Sequence, residues 1–224
     1  MTKHFHKALD SIKKKLLTLG AMVEERVHLS VKAVLDKDVD LARKIYGSDY
    51  EVDEMEVEVE EECLKVMALH QPVAVDLRFL IAVIKINNEL ERIGDQAVNV
   101  AQRAERIALD GWEEFTFDYA VMAKKVQNML KLSLDALVNY DIEIAYNVLH
   151  LDDDVDEIKN RAYDVIKQAM GNHSDRIGNL INLLLISRHL ERVADHATNI
   201  AEEVIYMIDG EIVRHGSHYS DSNM

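Results

Sequence analysis

The chain has 224 residues, 48% of them apolar and 30% charged, and a formal net charge of −15. That length and apolar share supply a sizeable core, while the acidic balance argues against a nucleic-acid backbone or an anionic lipid surface as partner. The lone cysteine, Cys63, excludes an internal disulfide and fits a reducing compartment.

No targeting or membrane-spanning segment stands out. The N-terminal region is polar, with Lys13, Lys14 and Lys15 interrupting its apolar residues. The longest apolar runs, Phe79 to Ile84 and Leu183 to Ile186, fall far short of the roughly 20 residues a membrane helix needs. A soluble, cytoplasmic protein is expected.

One proline and eight glycines leave little to interrupt long helices. In chain order, breaks are expected at Asp36-Lys37-Asp38, at Pro72, at Gly111, at Asn139-Tyr140-Asp141, at Gly171 and at Gly210. They delimit six segments of roughly 25 to 35 residues, each longer than an average helix. In the second segment Val52, Met55, Val59, Cys63 and Val66 form one helical stripe. The alternation from Glu56 to Glu60 is too short, and too embedded in 3.6-residue spacing, to read as a strand. In the third, Leu77, Leu80, Ala82, Ile84, Ile86 and Leu90 make a broad apolar face. Met22, Met55, Met122, Met129 and Met170 read as gap-fillers between helices, and Cys63 as a core residue.

The chain is internally duplicated. Leu90 to Ala101 recurs as Leu190 to Ala201, with seven of twelve positions identical. Ala33 to Asp53 matches Ala136 to Asp156 at an offset of 103, so the second-half turn is three residues shorter. The expected fold is all-α: six long helices arranged as two tandem pseudo-symmetric three-helix bundles. The domains are 1–112 and 113–210, followed by a polar, disordered tail at 211–224.

The duplicated stretch carries a polar row at i, i+4 and i+8: Glu91, Asp95 and Asn99, then Glu191, Asp195 and Asn199. The preceding helix of each half has its own acid pair, Asp49 with Asp53 and Asp152 with Asp156. In an antiparallel hairpin, residues equidistant from the turn lie side by side, because both helices rise about 1.5 Å per residue. Asp53 and Glu91 are each 19 residues from Pro72, and Asp49 and Asp95 each 23. The second half repeats this about a midpoint between His173 and Ser174. Four carboxylates per hairpin repel one another and call for a cation. Oxygen ligands at this density suit magnesium, manganese, iron or calcium, singly or as a multinuclear centre, with zinc admitted through His196.

Competing readings are available. Acid rows on long helices usually face solvent, and Arg92, Arg188 and Arg192 can pair them, which gives a metal-free scaffold. A carboxylate-bridged di-iron enzyme or iron-storage bundle needs Glu-x-x-His on two helices, and only Glu25-Arg26-Val27-His28 has that spacing. His4, His6, His215 and His218 read as solvated histidines. There is no glycine-rich phosphate loop, Cys-x-x-Cys or evident catalytic triad.

These residues resemble the PhoU family of phosphate-transport accessory regulators. The resemblance is carried by Gln71-Pro72-Val73-Ala74-Val75-Asp76-Leu77-Arg78, by the Leu90–Ala101 segment and its copy, and by Val52-Asp53-Glu54-Met55 with Val155-Asp156-Glu157-Ile158. It covers essentially residues 5 to 209. It implies two three-helix bundles, with multinuclear metal sites on Glu/Asp-x-x-x-Asp motifs. It also implies a non-enzymatic negative regulator, often dimeric, acting at the cytoplasmic side between a phosphate ABC transporter and a sensor histidine kinase. The second-half turn, Met170-Gly171-Asn172-His173-Ser174-Asp175, lacks the Gln-Pro of the first.

Overall fold

A computed structural model of the chain describes residues 3–111 and 117–213. Its helices are α1 (Lys3–Asp36), α2 (Val39–Gly47), α3 (Tyr50–His70), α4 (Val75–Leu109), α5 (Tyr119–Asn139), α6 (Ile142–Asn172) and α7 (Ile177–Asp209), and a single 3-10 turn, Ser174–Arg176, precedes α7. The six-helix plan holds, with α2 and α3 together standing where the second half has the unbroken α6. The helix at Gly171 runs on to Asn172 rather than stopping at the glycine. His215, His218 and most of the expected tail lie outside the described residues.

Each boundary has a local cause. Asp38 accepts a hydrogen bond from the Leu41 amide, and its repeat equivalent Asp141 accepts from Glu143 and Ile144. Aspartate at this position satisfies amides that have no partner inside the helix. α7 ends at Gly210, which is left-handed with φ 78°. That backbone favours glycine, and a Cβ there would lie 2.6 Å from Nη1 of Arg78, whose side chain would have to shift.

The halves differ at Gly47-Ser48-Asp49. The Ser48 amide and hydroxyl both donate to the Ile45 carbonyl, closing α2. Arg26 of α1 donates to the carbonyls of Ser48 (2.7 Å) and Asp49 (3.4 Å). The guanidinium is a second donor to these carbonyls, which also accept the Glu51 and Val52 amides. In the second half the repeat position of Arg26 is Met129, fully buried, and α6 runs through. Otherwise the repeats match closely. Ser30 and Ser133, also repeat equivalents, each donate back to the carbonyl three residues earlier.

Helices α1, α2, α3 and α4 form the first bundle, and α5, α6 and α7 the second. They join through α4 against α7 and α1 against α5. The core is densest along the central pair, with Leu80, Ile86, Leu90 and Ile93 of α4 and Leu183, Ile186, Val193 and Ile200 of α7 buried. Cys63 is fully buried, and desolvation pushes its thiol up to about 12, so it is a core residue and not a nucleophile. Met122 and Met129 are buried; Met22, Met55 and Met170 pack partly buried against the core.

Candidate functional site: two carboxylate hairpins

The hairpin geometry brings the expected acids into one another's fields. In the first half, burial raises the Asp49 carboxyl; Arg26 opposes this, and Asp53 and Asp95 add to it. Burial likewise raises Glu91, helped by Asp95, Asp53 and Glu56. Asp95 is raised by burial and then by Asp53. In the second half, burial pushes Asp152 up to about 6, reinforced by Asp195, Asp156, Asp153 and Glu191. Asp195 is raised by burial, Glu191 and Asp156, with His196 and Lys159 opposing. Mutual repulsion and partial desolvation both favour the protonated form, so each hairpin holds charge it does not fully neutralise.

The cations that reach the two clusters are different residues. Arg26, 6% exposed, holds Asp49 Oδ1 at 2.7 Å in the first half. In the second, Lys159 Nζ lies 2.8 Å from Asp156 Oδ1 on its own helix and 2.9 Å from Glu191 Oε1 on α7. Neither was among the arginines adjoining the motif. Of those, Arg92 pairs with Glu89 at 3.7 Å and reaches Glu91 only through its field.

Asn199 does not join the cluster. Its Nδ2 donates to Glu89 Oε2 at 3.0 Å across the contact between α4 and α7. The reason is helical pitch: at about 100° per residue, i+8 has drifted roughly 80° round the helix from i. Asn99 stands at the same rotation on α4. His196 shares the Glu89 contact, its Nδ1 donating to Oε2 at 2.6 Å, so that nitrogen is unavailable to a zinc ion. Burial raises Glu89, but the hydrogen bonds from His196 and Asn199 outweigh it and hold this carboxyl low. A cavity of about 420 Å³ opens here, lined by Lys85, Glu89, Arg92, Asn199 and Glu203 among others. This polar seam carried no signal in the duplicated motif, because one of its members, Glu89, lies just outside the repeat-defining stretch.

As placed, no three His, Cys, Asp or Glu side chains among the described residues already surround a common point as metal ligands would. The first cluster nevertheless has the donor chemistry of a hard cation site. Asp53, Glu91 and Asp95 make no ion pair among the described residues. At its border, Asn87 is fully buried and donates to the Glu56 side chain at 3.1 Å, while its own Oδ1 has no hydrogen-bond partner among the described residues. Glu25 and His28 are exposed on α1, not turned inward as a di-iron core demands.

A family model described as the PhoU domain matches residues 16–104 and 120–204. A phosphate-specific transport system accessory protein PhoU homolog of Pseudomonas aeruginosa is 35% identical over 216 residues, spanning 96% of this chain and 89% of that protein. The homolog so described in Clostridium acetobutylicum is 33% identical, with 94% and 97% covered. Among solved structures, PhoU from Pseudomonas aeruginosa superposes with a TM-score of 0.89 at 35% identity, covering 92% of this chain and 100% of that one. The phosphate transport system regulatory protein PhoU from Streptococcus pneumoniae gives 0.83 at 28%, covering 93% and 99%.

Proposed function

This chain belongs to the PhoU family, and on that premise we propose that it is a non-enzymatic accessory regulator of phosphate uptake and phosphate-starvation signalling. It acts in the cytoplasm as an adaptor between a phosphate ABC transporter and a sensor histidine kinase, as a homodimer. The observation that carries the reading is full-length likeness to accessory proteins of phosphate transport. A fold with no helix long and apolar enough to cross a membrane among the described residues agrees with an accessory role. Deleting the gene in its host and following phosphate uptake with a phosphate-starvation reporter tests it. Derepression in phosphate-replete medium, reversed by the wild-type chain, is the expected result; a reporter unaffected by the deletion would reject the role.

The reading includes a divalent metal at the first hairpin, held by Asp49, Asp53, Glu91 and Asp95. Bound there, the ion supplies positive charge that lets the four carboxylates stay ionised side by side. The support is the repulsion among these acids and the shortage of internal cations around Asp53, Glu91 and Asp95. Metal-stripped protein re-supplied in turn with iron, zinc, manganese and magnesium should bind at least one stoichiometrically by elemental analysis, and uptake of none would remove metal from the reading.

A further inference from the structure

Among the repeat positions at which the two hairpins differ, one exchanges charge inside the carboxylate cluster. Glu56 of α3 and Lys159 of α6 are equivalent at the offset of 103. Glu56 adds a fifth carboxylate to the first cluster: its own carboxyl is raised by burial, Glu60 and Asp53, and it acts in turn on Glu91. Lys159 puts an ammonium into the second. Because Met129 stands where the first half has Arg26, each hairpin keeps one cation, carried on a different helix.

The manner of contact matters as much as the charge. Lys159 Nζ sits between a carboxylate on α6 and one on α7, 2.8 and 2.9 Å from each, and so ties the two helices of the hairpin together. Bridging oxygens from facing helices is what a metal ion does in a carboxylate site. A metal takes those oxygens at roughly 2.0–2.6 Å, so an ion on Asp156 and Glu191 would overlap the volume the ammonium now fills. Arg26 plays no such part in the first hairpin. It enters from α1, touches Asp49 alone among the cluster acids, and turns its remaining donors to the Ser48 and Asp49 carbonyls. Asp53, Glu91 and Asp95 stay open to an added cation.

We propose that Lys159 is the resident cation of the second hairpin. The halves are therefore unequal toward divalent metal: the first takes it directly, and the second takes it only when Lys159 is displaced or removed. The proposal rests on the metal reading for the first hairpin. It extends it by assigning the second hairpin a built-in lysine bridge in place of an equivalent metal site.

The test uses the full chain, Mn²⁺ as the only added metal, and two readouts: bound Mn²⁺ per chain by equilibrium dialysis, and the thermal midpoint with and without Mn²⁺. Wild type should bind Mn²⁺ and lose it in the first-hairpin variant D53N/E91Q. Adding K159M to that variant should restore binding, with affinity at the second hairpin raised about tenfold or more. K159M alone should melt lower than wild type without metal and recover with Mn²⁺. If K159M does not fold, K159Q retains a hydrogen-bond donor without the charge and serves in its place. Undiminished Mn²⁺ binding by D53N/E91Q would overturn the proposal, because the second hairpin would then accept metal with Lys159 present. So would failure of D53N/E91Q/K159M to bind. Binding by that triple variant alone, with none by wild type, would sink the first-hairpin metal reading and leave the lysine assignment standing.

Discussion

His196 donates its Nδ1 proton to Glu89 at 2.6 Å, and the pair has a repeat-related counterpart in which His189 donates to Gln96 at 2.9 Å. Residues 89 and 189 are equivalent, as are 96 and 196, so α4 and α7 meet antiparallel about a local pseudo-two-fold axis. One pair carries a carboxylate and the other is neutral. The interface between the halves thus follows the same internal repeat as the halves themselves.

The pair of Glu89 and His196 stabilises that interface. Both side chains are mostly buried, and Glu89 also accepts from Asn199. Glu89→Ala leaves two donors unsatisfied and should destabilise the fold by about 2 kcal/mol, read as a lower urea midpoint at unchanged slope. Glu89→Gln, which keeps an acceptor, should cost less than half as much. Equal losses from the two would show that the hydrogen bonds are not what the contact contributes.

Arg26 holds the break between α2 and α3. Arg26→Met keeps the apolar stem but leaves the Asp49 carboxylate without its cation, while the Ser48 and Asp49 carbonyls keep only the Glu51 and Val52 amides. A loss of about 3 kcal/mol is expected, because a mostly buried ion pair is broken from one side. Hydrogen exchange should then speed up in residues 46–53 before the rest of α3. Met129, at the same repeat position over an unbroken helix, should tolerate Met129→Leu with little change.

The pH dependence has two opposing limbs. Asp152 is raised by burial and its acidic neighbours to about 6. A carboxyl raised on folding contributes stability below its ordinary value, and that contribution is lost as pH rises through the folded one. Asp152→Asn should therefore raise the unfolding free energy at pH 7.5 by about 2 kcal/mol in chelator-treated protein, and change it little at pH 4. His189 acts in the opposite sense. Burial, then Arg103, Arg192 and Arg188, lower it to about 4, and its Nε2 is buried with no hydrogen-bond partner among the described residues, as suits a neutral ring. Its contribution is complete above the ordinary histidine value and is lost as pH falls from there through about 4. His189→Gln should flatten that acid limb in differential scanning measurements.

The first-half turn is strained. Gln71 and Ala74 both have positive φ, 47° and 49°, and Ala74 combines it with ψ −116°. Only glycine adopts such a conformation without steric cost. Ala74→Gly should raise stability by about 1 kcal/mol in thermal unfolding. Destabilisation instead would mean that the alanine Cβ contributes packing that outweighs the strain.

Periodicity and duplication made the helices legible from the sequence. The rise per residue is the same in every helix, so distance from Pro72 already paired Asp53 with Glu91 and Asp49 with Asp95, and the structure brings these acids into one another's fields. Three things were decided only in three dimensions. The rotation of α7 carried Asn199 away from Glu191 and onto Glu89, because an eight-residue step is not a whole number of turns. The α2–α3 break depends on Arg26, which lies more than 20 residues from the carbonyls it binds. Lys159 bridges the hairpin only because α7 places Glu191 within its reach. The local code sets spacing along each helix, while the angle each helix presents to its neighbours comes from side-chain packing summed over the whole bundle. The cation each acid row meets is therefore a tertiary fact.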